Sequence, residues 1–264
     1  MGPHLAARVS REAVTMAEYT LDLHNHTPLI PSDYRGRLET TPTDIVRAAL
    51  DAGIDVLGVT DHFSTAYAPR IVRAADDVWR EEGRRLHIIA GAELKIRRNG
   101  DEAHLIALFP EGSAQRRLAA LLAVLGLPDP AAPLEELPAL SVRYDPLAAA
   151  RAIDALGGVC IVGHADRTFG EYRLSESPLI GELMASPYVS AIEMIDHACL
   201  GTLPGGSAIA CVQSSDAHAP GEMGRRTTRL AMSEPTFAGL RDALGRNRRP
   251  REQARAVAEA TVTR

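Results

Sequence analysis

Short apolar runs and amphipathic helical segments alternate along almost the whole chain. Runs such as "VLGV" and "VCIV" are too short for helices, whereas the segments between them repeat apolar residues with helical spacing. One helix is marked at both ends: Thr41 or Thr43 can cap it, Pro42 falls in its first turn and Gly53 can end it. Strands connected by helices usually pair in parallel, so this pattern predicts an α/β fold with a parallel sheet.

The composition is that of an ordinary globular protein. The 264 residues are 45% hydrophobic and carry a net charge of −5, so no overall basic field would recruit nucleic acid. No apolar run approaches the roughly 20 residues that a membrane span needs. We also find no secretory signal before the first strand and therefore expect a cytoplasmic protein without a membrane partner. We expect one domain over residues 19–264, preceded by a weakly ordered extension at 1–18.

Side chains that bind metals stand at the ends of nearly all the predicted strands. The carboxyl ends of parallel strands open onto one face, so these side chains should converge there. Any one of them could be an ordinary polar residue, but six of the nine histidines occupy such positions. Imidazole with carboxylate suits Zn, Mn or Fe rather than Ca. The residues are His24, His26, His62, His104, His164 and His218, with Asp61, Glu93, Asp166, Glu193 and Asp216.

The first strand shows the pattern within a few residues, in "LDLHNH". Successive side chains of a strand point to opposite faces, so Asp22, His24 and His26 are expected on one face and Leu21 and Leu23 on the other. By itself this alternation fits a polar surface or a ligand face. The other strand ends favour ligands, with the two leucines facing the surrounding helices.

Several other kinds of site lack their sequence signals. No GxGxxG or P-loop follows a predicted strand, which argues against a dinucleotide site or a nucleoside-triphosphate site. The serines of "SSDAH" are not part of a GxSxG turn, which argues against a serine hydrolase.

Six ordered motifs together resemble those of one family. The motifs "DLHNHT", "TDH", "GAE", "AHLIALF", "GHAD" and "SDAH" are similar to those of the PHP (polymerase and histidinol phosphatase) superfamily of metal-dependent phosphoesterases, and most similar to its stand-alone members. The resemblance covers roughly residues 19–245. It implies a distorted (β/α)7 barrel with two or three divalent ions (Zn, Mn or Fe) at the strand C-termini.

The resemblance also implies a set of nine ligands for three metals. The first metal would be held by His24, His26, Glu93 and Asp216. Glu93 would bridge to the second, which His104 and His164 would also hold. The third would be held by His62, His218 and Asp33.

Further residues are expected around these ligands. Asp22 and Asp61 would hydrogen-bond a ligand or its backbone, or handle a proton. Glu193 is expected to be a buried, paired acid outside the ligand set. Arginines that follow or flank the motifs could bind phosphate: Arg35, Arg37, Arg167, Arg225 and Arg226.

The expected reaction is hydrolysis of a phosphate ester by a metal-activated hydroxide at a di- or trinuclear site. One alternative is a PHP-type exonuclease that acts on nucleic-acid ends. Another is a C–N bond metallohydrolase of the amidohydrolase type, although the only lysine, Lys95, follows Glu93 by two residues and is not placed for carbamylation. A regulatory module with a vestigial site is a third. The expected partner is a small phosphorylated substrate or a nucleic-acid end.

Overall fold

One curved sheet forms the wall of a nearly closed barrel, and helices cover it. The computed structural model describes residues 15–29, 34–127, 141–169, 172–173, 177–196 and 209–246. The strands are β1 (Ala17–Asp22), β2 (Val56–Val59), β3 (His87–Arg98), β4 (Asp101–Leu108), β5 (Val142–Arg143), β6 (Val159–Val162), β7 (Thr168–Phe169), β8 (Tyr172–Arg173), β9 (Ala191–Glu193), β10 (Ala210–Val212) and β11 (Thr228–Met232). The helices are α1 (Pro42–Asp51), α2 (Ala68–Glu82), α3 (Ala114–Val124), α4 (Pro146–Ala155), α5 (Pro178–Ala185) and α6 (Phe237–Arg246), with a short 3₁₀ turn at Pro220–Glu222.

The strand order explains the shape of the barrel. The order is β10-β9-β6-β4-β3-β2-β1-β11, with β5 paired to β3, and β7 and β8 form a separate hairpin. The seven strands from β10 to β1 form the wall. Beyond β1 and β10 the chain closes the ring, since the backbone N–H of His26 donates to the carbonyl of Ala217 at 2.8 Å. The predicted α/β class and distorted (β/α)7 barrel are confirmed.

One strand of the wall runs against the others. β4 is antiparallel to both β3 and β6, whereas β1, β2 and β3 are mutually parallel, as are β6, β9 and β10. The reversal follows from Asn99 and Gly100, whose φ angles of 54° and 97° are those of a two-residue turn of type I′. Because of the reversal, His104 lies in the first half of β4, at the same end of the barrel as the C-termini of its neighbours.

Apolar side chains fill the barrel below this end. The interior cluster takes a residue from each wall strand, including Leu21, Ile89 and Ile106, and α6 packs against it through Phe237. On β3 and β4 the alternation continues from these apolar residues to polar ones. Ile89 is followed on its face by Glu93, and Ile106 is preceded by His104. The apolar interior therefore lies directly beneath the polar side chains at this end of the barrel and packs against them.

The prediction for the first strand is wrong in one respect. Leu21 and Leu23 belong to the interior cluster and not to the clusters that contain residues of α1 to α5. Asp22 instead contacts the chain around Ser215 and Gly224. The reason is that β1 ends at Asp22, so the two-residue period does not continue to His24.

The helix signals at residues 41–53 are borne out. Thr41 is the N-cap, and it forms a capping box in which its hydroxyl accepts from the N–H of Asp44 while the Asp44 carboxylate accepts from the N–H of Thr41. The helix ends at Asp51, and Gly53 follows at φ 75°. Most of the predicted N-terminal extension lies outside the described residues. No described helix has both the length and the apolar character needed to cross a membrane.

Candidate metal centre

The polar end of the barrel brings together all the predicted ligands that the structure describes. Each of the six histidines is at most 8% exposed, and Glu93 is 2% exposed. They form three groups that could hold ions: His24, His26, Glu93 and Asp216; Glu93, His104 and His164; and His26, His62 and His218. Asp33 lies outside the described residues, so its place in the third group stays a prediction.

The spacing in the first group is that of ligands around one ion. His24 Nε2 lies 3.3 Å from His26 Nε2, 3.2 Å from Glu93 Oε2 and 3.5 Å from Asp216 Oδ1. His26 Nε2 lies 3.2 and 3.4 Å from the same two oxygens. Four ligands at about 2.0–2.2 Å from a tetrahedral zinc ion would be roughly 3.3–3.6 Å apart. The donor set and its spacing therefore fit a divalent ion.

Glu93 divides its two oxygens between the first and second groups. Oε2 faces His24 and His26, whereas Oε1 lies 2.5 Å from His104 Nδ1 and 3.3 Å from His164 Nε2. A carboxylate in this position can bridge two ions, as a two-metal hydrolytic centre requires.

The third group shares His26 with the first. The ring centroid of His26 is 4.7 Å from that of His62 and 4.1 Å from that of His218. His218 Nδ1 lies 2.9 Å from the carbonyl oxygen of Asp216. A carbonyl oxygen can only accept a hydrogen bond, so His218 Nδ1 must carry the proton. In the neutral ring, Nε2 then has a lone pair that can bind an ion.

The charges at this end of the barrel favour a cation. Burial lowers the pKa of His26, but hydrogen bonds to Asp216 and Glu93 outweigh it and raise the pKa to about 9. Burial acts to raise the pKa of Glu93, yet the charges of His24, His104 and His62 hold it well below its ordinary value. Without metal, the carboxylates therefore favour the protonated form of His24 and His26, which act as their counter-ions.

Three turns beside the site hold non-glycine residues at positive φ. These residues are Phe63, His164 and Asp216, with φ angles of 53°, 28° and 50°. Each follows a wall strand, respectively β2, β6 and β10. Such conformations cost about 1–3 kcal/mol and persist where the surroundings enforce them, often at functional sites. At His164 and Asp216 they fix the direction of side chains that belong to the groups.

Asp22 and Asp61 hold the loops that carry residues of the three groups. Asp22 accepts from the N–H and hydroxyl of Ser215 at 2.9 and 2.5 Å, beside Asp216. Asp61 accepts from the N–H and hydroxyl of Thr27 at 2.7 Å each, beside His26. Burial raises the pKa of both carboxyls.

Close backbone packing also fixes the first loop. A Cβ at Gly58 would lie 2.2 Å from the carbonyl oxygen of Leu23, so only glycine lets β2 approach the chain just before His24 this closely.

Two glutamates contact ring nitrogens of His24 and His104 on the side of each ring that faces away from Glu93. Glu193 lies 3.2 Å from His24 Nδ1 through each of its oxygens, so the buried, paired acid that the sequence predicts is present. Sequence reasoning missed Glu102, whose Oε1 lies 3.2 Å from His104 Nε2. The charge and hydrogen bond of His104 contribute to lowering the pKa of Glu102 to about 2. Its position two residues before His104, on the same strand face, was the available signal.

The predicted arginines differ in their distance from the groups. Arg167 Nη2 lies 3.3 Å from Asp216 Oδ2. Arg35 and Arg225 both pair with Glu222, at 2.8 and 3.4 Å. Arg37 is 88% exposed and lies 3.8 Å from Glu39. The remaining arginine, Arg226, contributes its carbonyl, which accepts from the Ser215 hydroxyl at 3.4 Å.

The described residues also form a cavity of about 320 Å³ at the start of β3. Its lining includes Trp79, Arg85 and His87, and it shares no residue with the three groups.

Comparisons with known proteins agree with this architecture. A family model described as PHP-associated matches residues 207–248. No curated protein matches the chain. Among solved structures, a protein described as a metal-dependent phosphoesterase from Bifidobacterium adolescentis has a TM-score of 0.60 at 15% identity, over 87% of this chain and 96% of that one.

Two further structures share the fold. The lesion-specific endonuclease EndoQ of Pyrococcus furiosus has a TM-score of 0.65 at 16% identity, over 86% of this chain and only 56% of its own. An amidohydrolase from Chromobacterium violaceum with bound sulfate has a TM-score of 0.51 at 18% identity, over 85% of this chain and 96% of that one. The chain has the barrel fold that the resemblance of its motifs implies, and it shares this fold with a protein described as a metal-dependent phosphoesterase.

Proposed function

We propose that the protein is a metal-dependent phosphoesterase with a di- or trinuclear centre. The observation that carries this proposal is the position of Glu93, which presents one oxygen to each of two ligand groups. The ligands of the first two groups are His24, His26, Glu93, His104, His164 and Asp216, and those of the third are His26, His62 and His218, with Asp33 as the predicted addition.

The metals in this proposal are Zn, Mn or Fe, since imidazole and carboxylate together suit these ions. Such ions would supply Lewis acidity, which activates a water molecule and neutralises charge on phosphoryl oxygens.

The chain's own residues orient the substrate and hold the ligands. Arg167 is the leading candidate for phosphate, because its guanidinium is 38% exposed and lies beside Asp216. Arg35 and Arg225 lie further out and are already paired with Glu222. Asp22 and Asp61 keep the ligand loops in place through their hydrogen bonds.

The substrate proposed is a small phosphate ester. A nucleic-acid end is the second candidate, and the likeness to a lesion-specific endonuclease favours it. The chain spans only about half the length of that enzyme, and its own net charge is −5, which disfavours a long duplex. The likeness to an amidohydrolase keeps C–N bond hydrolysis as a further alternative. A cytoplasmic location is part of the same proposal, in keeping with a sequence of only three widely spaced cysteines and no CxxC pair.

An activity panel tests the proposal. The purified protein, loaded separately with Mn, Zn or Fe, is assayed on nucleotide monoesters, 3′,5′-bisphosphates, histidinol phosphate, short oligonucleotides and amides. We expect release of phosphate or nucleotide that EDTA abolishes. Cleavage of amides alone would overturn the proposal in favour of the amidohydrolase alternative.

Variants connect the activity to the groups. His26→Ala and Asp216→Ala should each abolish hydrolysis. His87→Ala is the matched control, because this histidine lies at the start of β3 and outside the three groups. Full activity in both site variants would contradict the proposal.

A further inference from the structure

Glu193 contacts two separate parts of the site. It ends β9 and is 2% exposed. Its two oxygens each lie 3.2 Å from His24 Nδ1, and Oε1 also accepts from the backbone N–H of His164 at 3.0 Å. Its carbonyl accepts from the N–H of Ala165 at 2.9 Å. One buried residue thus holds both the loop after β1 and the turn after β6.

The contact with His24 selects the nitrogen that faces the first group. A carboxylate accepts only, so His24 Nδ1 must be the donor. The Nε2 atom then points at Glu93 and Asp216, at 3.2 and 3.5 Å. A carboxylate behind a ligating histidine commonly fixes its tautomer and ring orientation in this way.

The contact with His164 acts on the backbone. His164 has a φ of 28°, a conformation that needs support from its surroundings. The hydrogen bond from its N–H to Glu193 gives that support, and the turn directs His164 Nε2 to within 3.3 Å of Glu93 Oε1, in the second group.

We propose that Glu193 is a positioning residue shared by both halves of the candidate metal centre, and that it holds His24 for the first ion and His164 for the second. The proposal rests on the metal centre proposed above but not on any particular substrate. It predicts that a change at Glu193 weakens the binding of both ions, although Glu193 belongs to neither group of ligands.

Glu102 provides a matched control. It too is a glutamate behind a histidine, with its Oε1 3.2 Å from His104 Nε2, and Ser141 and Arg97 hold its Oε2 at 2.5 and 3.0 Å. Since His104 belongs only to the second group, a change at Glu102 should weaken the binding of the second ion and leave that of the first unchanged.

Two single-group proteins separate the ions, and both also carry His218→Ala, which removes the third group. Asp216→Asn removes a ligand of the first group while asparagine tolerates the positive φ, so it leaves Glu93, His104 and His164. His104→Ala removes the second group and leaves the first. Mn²⁺ affinity is measured in each from the electron paramagnetic resonance signal of the free ion, before and after adding Glu193→Gln or Glu102→Gln.

We expect Glu193→Gln to weaken Mn²⁺ binding about 10–100-fold in both single-group proteins. Glutamine is uncharged, so the oxygen that it keeps is a weaker acceptor for both contacts. Its NH₂ group also cannot accept the hydrogen bond that the second oxygen of Glu193 takes from His24 Nδ1. Glu102→Gln should weaken binding in the Asp216→Asn protein and leave the His104→Ala protein unchanged. Circular dichroism and thermal unfolding of the metal-free variants show whether the fold is kept.

An effect of Glu193→Gln in only one single-group protein, or in neither, would overturn the inference. If the glutamine variant does not fold, Glu193→Asp decides: it keeps the charge but is one methylene too short for both contacts, so unchanged affinity in both proteins would also overturn it. Absence of Mn²⁺ binding by the unaltered chain would overturn the metal centre itself, which distinguishes the two failures.

Discussion

Replacing Glu93 by glutamine removes the charge at the centre of the site while keeping the size of the side chain. The two Glu93 oxygens lie within 3.3 Å of nitrogens from five histidines: His24, His26, His62, His104 and His164. A glutamine can present its oxygen to one ligand group only. Its NH₂ would face the other group, where it cannot bind a cation. Glu93→Gln should therefore remove at least one ion.

The size of the effect follows from linkage between binding and folding. An ion present at 1,000 times its dissociation constant stabilises the folded state by about 4.1 kcal/mol. For a chain of this size, 1 kcal/mol shifts Tm by about 2–4 °C. Each ion at that excess should therefore raise the Tm of the unaltered protein by roughly 8–16 °C. In Glu93→Gln we expect the metal-induced rise in Tm to be smaller by at least the contribution of one ion, roughly 8–16 °C.

The assay is thermal unfolding of each variant in EDTA and in saturating Mn²⁺. The substitution can also destabilise the metal-free protein, because breaking a buried ion pair costs about 3–5 kcal/mol. This contribution cancels in the difference between the two Tm values, which reports metal binding alone. Glu182→Gln is the control, since its carboxylate pairs at the surface with Arg98 at 2.6 Å. A full metal-induced rise in Glu93→Gln would refute the assignment of Glu93 as a shared ligand.

Three further perturbations test the surroundings of the site. Gly58→Ala places a Cβ 2.2 Å from a backbone oxygen, so it should lower stability by about 1–3 kcal/mol and weaken metal binding, whereas Gly221→Ala, with open space around it, should do neither; equal Tm values for the two variants would contradict this. Thr41→Ala removes the capping box and should cost about 1 kcal/mol, or about 2–4 °C in Tm, with unchanged activity. The raised pKa of His26 stabilises the metal-free protein fully below about 6.5, and this contribution is lost as the pH rises through about 9; over the same interval Mn²⁺ affinity should increase, because fewer protons compete, and titrations at pH 7 and 9 showing equal affinity would contradict it.

The fold was predictable where local signals were strong. The cap at Thr41 and the alternation of helices with apolar strands are local, and both agree with the structure. The direction of β4 was not predicted, although the Asn99–Gly100 pair is a recognised signal for a tight turn. The faces of Leu21 and Leu23 were predicted wrongly, because alternation was extended past the end of β1 at Asp22.

The convergence of these histidines and carboxylates was predictable because strand ends meet at one face in this kind of barrel. Their supporting residues were harder to predict. The link from Glu193 to His24 joins residues 169 positions apart, and no local pattern indicates which histidine a buried acid will meet. The left-handed conformations of His164 and Asp216 likewise depend on tertiary contacts.

The most direct test of the central claim is the metal content of the folded protein. The chain is incubated with Mn²⁺ or Zn²⁺, freed of unbound ion by gel filtration, and analysed by inductively coupled plasma mass spectrometry. The three ligand groups predict two or three ions per chain in the unaltered protein and a clear loss in Asp216→Asn. Less than one ion per chain, with either metal, would contradict the account.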